Sequence, residues 1–472
     1  MSQVPILSGI YTDPAGDFRT KYPANLVPVP KGQGISQGFL RPADGITANG
    51  TGPGVGRGGI VWNGTLHRVM GTKLVTVSQA GAVTVLADVG GTGQVTFDAG
   101  FDRLAIVSGG NLHYWNGTTL TTVTDPDLGA VIDAKWLAGY FLCTDGTNLI
   151  VTELNDPTAV NPLKYGSAES DPDPIMAVDE LRNEAFALGR FTIEAFQNVG
   201  GDLFPFARID GAQVTRGIIG THAYAKFAGS FAFVGSGKNE APAVWLMTAG
   251  DSAKLSTAEV ETILAGYTEA QLAACVVETR ADKAHQTLLI HLPDQCLAYD
   301  AAASAVMQTP VWYTLHSGLL SHSAYRARNL VWCYDRWSVE DTASSALGVL
   351  VNNVSSHYGQ VIGWDFGATV MYLDGDDGII HELELVCLPG RAAFGAEPTV
   401  WTSSSRDGMT WGPELPKSPG QFGERGKRLA WRQQGRIRHY RVQRFRGTSE
   451  AHLTMARLEV QIEPLSTRAG RG

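Results

Sequence analysis

Residues 59–70, Gly59-Ile-Val-Trp62-Asn63-Gly64-Thr65-Leu66-His-Arg-Val-Met70, set two apolar runs on either side of an Asn-Gly pair. Both central residues of a type I′ turn have positive φ, which Asn and Gly tolerate best, so this stretch predicts a β-hairpin. Trp-Asn-Gly-Thr occurs a second time at 115–118, after Leu112-His-Tyr-Trp115, and predicts a second hairpin.

The pattern spreads outward from there. Short apolar runs recur at 66–70, 104–107, 140–143, 185–188, 231–234, 288–291 and 330–333. A strand-built period of roughly 40 residues is the signature of a β-propeller, each blade a four-stranded sheet. Helical solenoids need a 3.6-residue period, which is almost absent. The fold class is therefore all-β, with a propeller of six or seven blades over 57–365. One helical hairpin interrupts it at 255–275, where Ser256-Thr-Ala-Glu259 and Thr268-Glu-Ala-Gln271 both fit the capping box. Val260, Ile263 and Leu264 give its first helix an apolar stripe.

The flanks differ. Residues 1–56 read as an extended arm, because Pro23, Pro28 and Pro30 and the glycines from Gly32 to Gly56 leave little that could pack. Strand-like runs at 369–373, 379–387, 398–403, 428–432, 436–446 and 453–463 predict a C-terminal antiparallel β-sandwich over 366–465. Residues 466–472 read as a flexible tail.

The 472 residues carry a net charge of −9, which excludes a chain-wide basic nucleic-acid binder. The charge is uneven: residues 391–472 carry +8 and residues 1–390 carry −17. Five cysteines (143, 275, 296, 333, 387) without a Cys-x-x-Cys pair read as free thiols of a reducing compartment. The N-terminus shows no signal-peptide pattern and no apolar run reaches the roughly 18 residues of a membrane span. A soluble protein made in a cytoplasm, with no membrane insertion of its own, is the expectation.

Enzyme-like patterns fail on context. Gly34-Ile-Ser36-Gln-Gly38 lacks the strand and helix of a nucleophile elbow, and Gly54-Val-Gly56-Arg-Gly-Gly59 lacks the helix that would hold a pyrophosphate. Asp374, Asp376 and Asp377 could hold a cation, but Asp and Gly also make ordinary solvated turns. Ser405-Arg-Asp407-Gly-Met-Thr-Trp411 is close to the Asp-box turn of sialidase-like propellers, itself a structural device. No acid/base carboxylate pair and no histidine cluster at metal-ligand spacing emerges, so no catalytic, cofactor or metal residue is assigned. The charge feature with content is the run 424–446, with Arg425, Arg432, Arg436, Arg438, Arg441, Arg444 and Arg446. Read as one strand, it puts Arg436, Arg438, Arg444 and Arg446 on one face and Arg441 on the other. That face either contacts phosphates or an acidic partner, or pairs with the acidic remainder of its own chain or a neighbouring copy.

Several segments resemble one family. Gly38-Phe-Leu40-Arg41-Pro-Ala-Asp-Gly45-Ile46 is similar to the N-terminal signature of the packaged-DNA stabilization proteins of short-tailed bacteriophages, also called tail accessory, hub or nozzle proteins. Leu255-Ser-Thr-Ala-Glu-Val-Glu261 resembles the family's helix motif. His291-Leu-Pro293-Asp-Gln-Cys296-Leu-Ala-Tyr299-Asp300 with Trp312 resembles another segment, Cys296 standing where Thr is expected. Ser405-x-Asp407-Gly408…Trp411 and Trp431-Arg432…Gly435-Arg436-x-Arg438 resemble the end of its C-terminal domain.

The resemblance implies a structural virion protein without cofactor, assembled in the host bacterial cytoplasm. Six copies would form a homohexameric ring below the portal adaptor (the head-to-tail connector), continuing the channel for packaged double-stranded DNA. It also implies docking of a tail needle or tip protein and of tailspikes or fibres. The competing reading is a carbohydrate-binding or carbohydrate-active propeller, a receptor binder or depolymerase, motivated by the Asp-box-like turn and the 11 tryptophans.

Overall fold

A computed structural model describes residues 2–4, 6–7, 10–11, 20–31, 36–154, 156–168, 172–201, 203–319, 323–371, 377–392, 394–438 and 440–465. The hairpin at 59–70 forms as expected: strands Gly56–Trp62 and Thr65–Met70 pair, and Asn63 and Gly64 both have positive φ (49° and 72°). At the second Trp-Asn-Gly-Thr the chain does otherwise. Asn116 keeps an ordinary φ and its side chain accepts from the N–H groups of Thr118 and Thr119, at 2.9 and 2.8 Å, in a longer turn.

Seven antiparallel sheets follow one another along the chain and pack in a closed circle. The propeller therefore has seven blades. Their innermost strands are Gly56–Trp62, Thr96–Ala99, Asp133–Leu137, Ile175–Leu181, Tyr224–Phe227 (after the short Gly217–Ile218), Val276–Asp282 and Ala327–Cys333. The first six repeat positions mark second strands of blades. The seventh, 330–333, falls on an innermost strand instead; the second strand of that blade is Arg336–Asp341.

Each blade is covered on both faces, which is why its middle strands read as unbroken apolar runs. In the second blade Leu104 and Ile106 pack against Trp62, Val69 and Leu74 of the first. Ala105 and Val107 point the other way, against Phe141 and Cys143 of the third. Equivalent clusters fill the other seams, and the smallest joins the seventh blade to the first through Leu66, Met70, Val75, Cys333 and Leu347.

That seam is where the ring closes, and a strand from the N-terminal 56 residues helps to close it. Their reading as an arm with little to pack is corrected by the structure. Strand Gly45–Thr51 pairs with Ala346–Val351 as the outermost strand of the seventh blade. Strands Leu26–Pro30 and Gly38–Pro42 instead extend a sheet made by Leu429–Ile437, Gly378–Cys387 and Met455–Pro464, to which Ser2–Val4 also adds. Opposite it lies a second sheet of Gly363–Met371, Tyr440–Thr448, Val400–Ser405 and Leu415–Lys417. Leu26, Leu40, Trp364, Phe366, Leu383, Phe445 and Leu458 fill the sandwich between them.

The insertion holds two helices, α1 (Ala258–Ala265) and α2 (Glu269–Ala273), with Val260, Leu264 and Leu272 buried on the propeller. The Thr268–Gln271 capping box forms. The one read at Ser256–Glu259 does not: the cap is Thr257, whose hydroxyl bonds Tyr22 and not the helix N-terminus, and Ser256 instead accepts from the Val244 N–H. A third helix, α3 (Ala301–Met307), is absent from the sequence reading; Asp300 caps it through the N–H groups of Ala302 and Ala303.

The hinge between the two domains is pinned by Asp44. Its buried carboxylate meets Arg41 at 3.0 Å, Lys283 at 3.2 Å and Arg280. Burial pushes its pKa up, but Arg280, Arg41 and Lys283 outweigh that and hold it at about 2. A carboxylate depressed in the folded state stabilises above its unfolded value and loses that contribution as pH falls toward the folded one. Asp44→Asn should therefore destabilise by about 1–2 kcal/mol at neutral pH, since it removes the buried carboxylate that Arg41, Arg280 and Lys283 share, while Arg280 keeps Asp282 at 2.7 Å. In thermal melts the wild type should also lose stability between pH 4 and pH 2 more steeply than the variant.

Candidate functional site

Two surfaces carry concentrated charge: the propeller's central cavity and the arginine-rich side of the sandwich. The cavity, of about 280 Å³, is lined from all seven blades. Innermost strands expose edge N–H groups, and carboxylates from the preceding blade take them up. Asp98 accepts from Trp136 N–H at 2.6 Å, Asp133 from Val178 N–H at 3.0 Å, and Glu278 from Leu330 N–H at 2.8 Å. Lys135 sits between Asp98 (3.4 Å) and Asp179 (3.3 Å), and Lys226 also reaches Asp179 at 3.3 Å. The polar lining is thus a device that seals neighbouring blades to each other.

The enzyme-like patterns have structural uses. Around Gly56 and Gly59 the backbone runs close to buried side chains: a Cβ on Gly56 would meet the Glu340 carboxyl at 2.2 Å. Arg57, between them, donates to the carbonyls of Gly71, Gly90 and Gly93 and to Ser108, tying the first blade to the second. Asp407 accepts from Ser405 Oγ and from the N–H groups of Met409 and Thr410, so the Asp-box-like turn is a local brace, and it lies in the sandwich, not the propeller. Two Ser–His contacts exist, Ser317–His357 at 2.8 Å and Ser355–His452 at 2.7 Å. Burial holds His357 at about 3, far from the range of a useful general base. Among the described residues no three His, Cys, Asp or Glu side chains gather as a metal site. Asp374 and Asp376 lie outside the described residues; Asp377 pairs with Arg436.

The run 424–446 is not one strand. The chain leaves strand Leu429–Ile437, turns at Arg438 and returns as Tyr440–Thr448, so Arg436 and Arg444 sit in different sheets. Most of its charge pairs within the domain. Arg428 and Arg432 meet Glu382 at 3.0 and 3.1 Å, and Arg436 meets Asp377. Arg444 and Arg446 share Glu414 at 3.3 and 3.1 Å, with Arg444 stacked over Trp411. Arg441 is buried with glutamine acceptors as partners, and burial depresses its pKa to about 10. Arg425 and Arg438 are exposed and have no ion pair among the described residues.

A closed β-propeller clamped to a β-sandwich by its own N-terminal strands is a structural scaffold, its polar groups spent on seams and ion pairs. The chain belongs to the Bacteriophage P22 Gp10 family: the family's β-propeller model matches residues 2–355 and its β-sandwich model residues 363–463. Tail hub protein gp10 of Salmonella phage P22 is 28% identical over 485 residues, which span 98% of this chain and all of that protein. The chain is accordingly a structural protein of the phage tail hub and not an enzyme. Solved structures resemble it remotely. The N-terminal domain of Nup159 is 10% identical (68% of this chain, 97% of that one, TM-score 0.40), and the Neurospora crassa Pan2 WD40 domain 8% identical (64% and 95%, TM-score 0.41).

Asp133 yields a test of the sealing device. Complete burial raises its carboxyl to about 7, the Thr96 hydroxyl and the Val178 N–H opposing, and Asp179 adding to the rise. A carboxyl raised in the folded state stabilises below its unfolded value, and that contribution fades as pH rises through the folded one. Asp133→Asn should thus raise the melting temperature at pH 8 relative to wild type, the gain vanishing toward pH 4 in melts across that range.

Proposed function

We propose that this chain is one subunit of a homohexameric ring below the portal adaptor, continuing the DNA channel and helping to retain packaged DNA. The observation that carries this reading is the match to a tail hub protein along the full length of both chains. Two features of the molecule support it. A cavity of about 280 Å³ cannot pass a duplex whose major groove alone is about 12 Å wide, so DNA would run between copies and not through one propeller. The −17 on residues 1–390 would repel DNA from a channel wall and let it slide.

The same ring would dock the tail needle or tip protein and the tailspikes or fibres on its loops. Exposed aromatics support loop-borne docking: Phe394 and Phe422, on adjacent sandwich loops, stand out from the surface edge to face, with ring centres 6.4 Å apart. Residues 425–446 would act through protein contacts and not by holding DNA, because ion pairs within the domain already absorb most of their charge.

Quantitative mass spectrometry of gradient-purified particles tests the ring. About half as many copies of this chain as of portal subunits is expected; absence from particles would overturn the proposal.

A further inference from the structure

Between the Asp407 turn and the end of strand Leu429–Ile437 lies a cleft of about 560 Å³, lined by Arg406, Arg436, Arg438 and Arg441 and by one carboxylate, Asp407; a second, Asp377, meets Arg436. Both carboxylates are engaged. Asp407 is held by the Ser405 hydroxyl and the Met409 and Thr410 N–H groups, and Asp377 pairs with Arg436.

The arginines are another matter. Arg441 is 7% exposed, yet its guanidinium meets uncharged acceptors: Gln443 Oε1 at 3.0 Å, Gln434 Oε1 at 3.2 Å and the Gln434 carbonyl. A buried guanidinium without a counter-charge is costly unless an anion joins it. At the mouth, Arg406 and Arg438 are exposed and, among the described residues, form no ion pair, whereas Arg428, Arg432, Arg436, Arg444 and Arg446 all do.

We propose that this cleft is a docking site for the carboxylate side chains of an acidic polypeptide segment. Guanidinium forks bind carboxylates bidentately, and the cleft offers three that form no ion pair among the described residues, those of Arg406, Arg438 and Arg441. An acidic protein segment fits better than a nucleic-acid backbone, because the site is a cleft confined to one domain and not a basic stripe that could follow successive phosphates. Acidic protein surface is also what the assembly offers, since residues 1–390 of every copy carry −17 against the +8 of residues 391–472. The proposal does not depend on the ring or its copy number.

Titration calorimetry of the full chain at low ionic strength tests it, with a hexaglutamate peptide as probe and a short DNA duplex as comparison. Hexaglutamate should bind saturably. Arg406→Ala combined with Arg438→Ala should weaken it at least about tenfold, as expected for lost charge-assisted hydrogen bonds, with an unchanged melting temperature because both side chains are exposed. Arg425→Ala, an exposed arginine outside the cleft, should leave it unchanged. No saturable binding, or equal loss in the Arg425 variant, would overturn the proposal. So would duplex binding that is lost in the double variant while the peptide fails to bind, which would assign the cleft to a nucleic-acid backbone.

Discussion

Everything in this molecule depends on closing the circle of blades. A propeller cannot bury the outer faces of its first and last blades until they meet, and here that seam holds the least apolar material of the seven. Two things compensate. Strand Gly45–Thr51 arrives from the N-terminus to complete the seventh blade, making closure a matter of sheet hydrogen bonds as well as packing. Beneath it runs a polar lock: Arg68 and Glu340, both fully buried, pair at 3.1 Å, and Arg68 also reaches the Asn329 carbonyl and the Ser338 hydroxyl across the seam. Such a pair adds little net stability over an apolar one but strongly resists being broken, which suits a joint that must not slip in register.

The same logic orders the centre. Inner strands have edges that face solvent in the channel, and unpaired edges are a liability. Carboxylates supplied by the preceding blade take up those N–H groups, so the acidic lining follows from the fold itself and implies no site there. On the sandwich, carboxylates from neighbouring strands and loops draw most arginines of the 424–446 run into ion pairs, and what stays free is confined to one cleft.

How much of this could be read from the chain depends on how local the cause was. The hairpin at 59–70 was legible because two adjacent residues fix its turn. The blade repeat was legible because strands buried on both faces leave unbroken apolar runs. Other features depended on distant partners. Pro28 and Pro30 suggested an arm that could not pack, but Leu26–Pro30 is the outermost strand of its sheet, where a missing N–H costs little. The turn at Arg438 carries no Gly, Asn or Pro, so nothing in Arg-Ile-Arg-His-Tyr-Arg announced that the strand doubles back. Helix α3 did have a signal, an Asp before an alanine run, masked by its position between two strands. The candidate residues were legible only as a basic run; their division into paired and unpaired arginines rests on Glu382, Glu414 and Asp377, which the sequence places 30 to 59 residues away.

The N-terminal segment accordingly crosses the boundary that the sequence reading sets between residues 365 and 366. Residues 26–51 contribute two strands to the sandwich and one to the propeller, and residues flanking those strands contact both domains. Asn25, at φ 53°, donates to the carbonyls of His316 and Gly363 and accepts from the His316 N–H, joining the end of the sixth blade to the start of the sandwich. Gly45 lies where a Cβ would meet the Val354 and Ser356 carbonyls at 2.6 and 2.8 Å, so the strand that closes the ring can enter only as glycine. One short segment thus holds the propeller shut and the sandwich in place at once. Loosening either domain therefore strains the other through it.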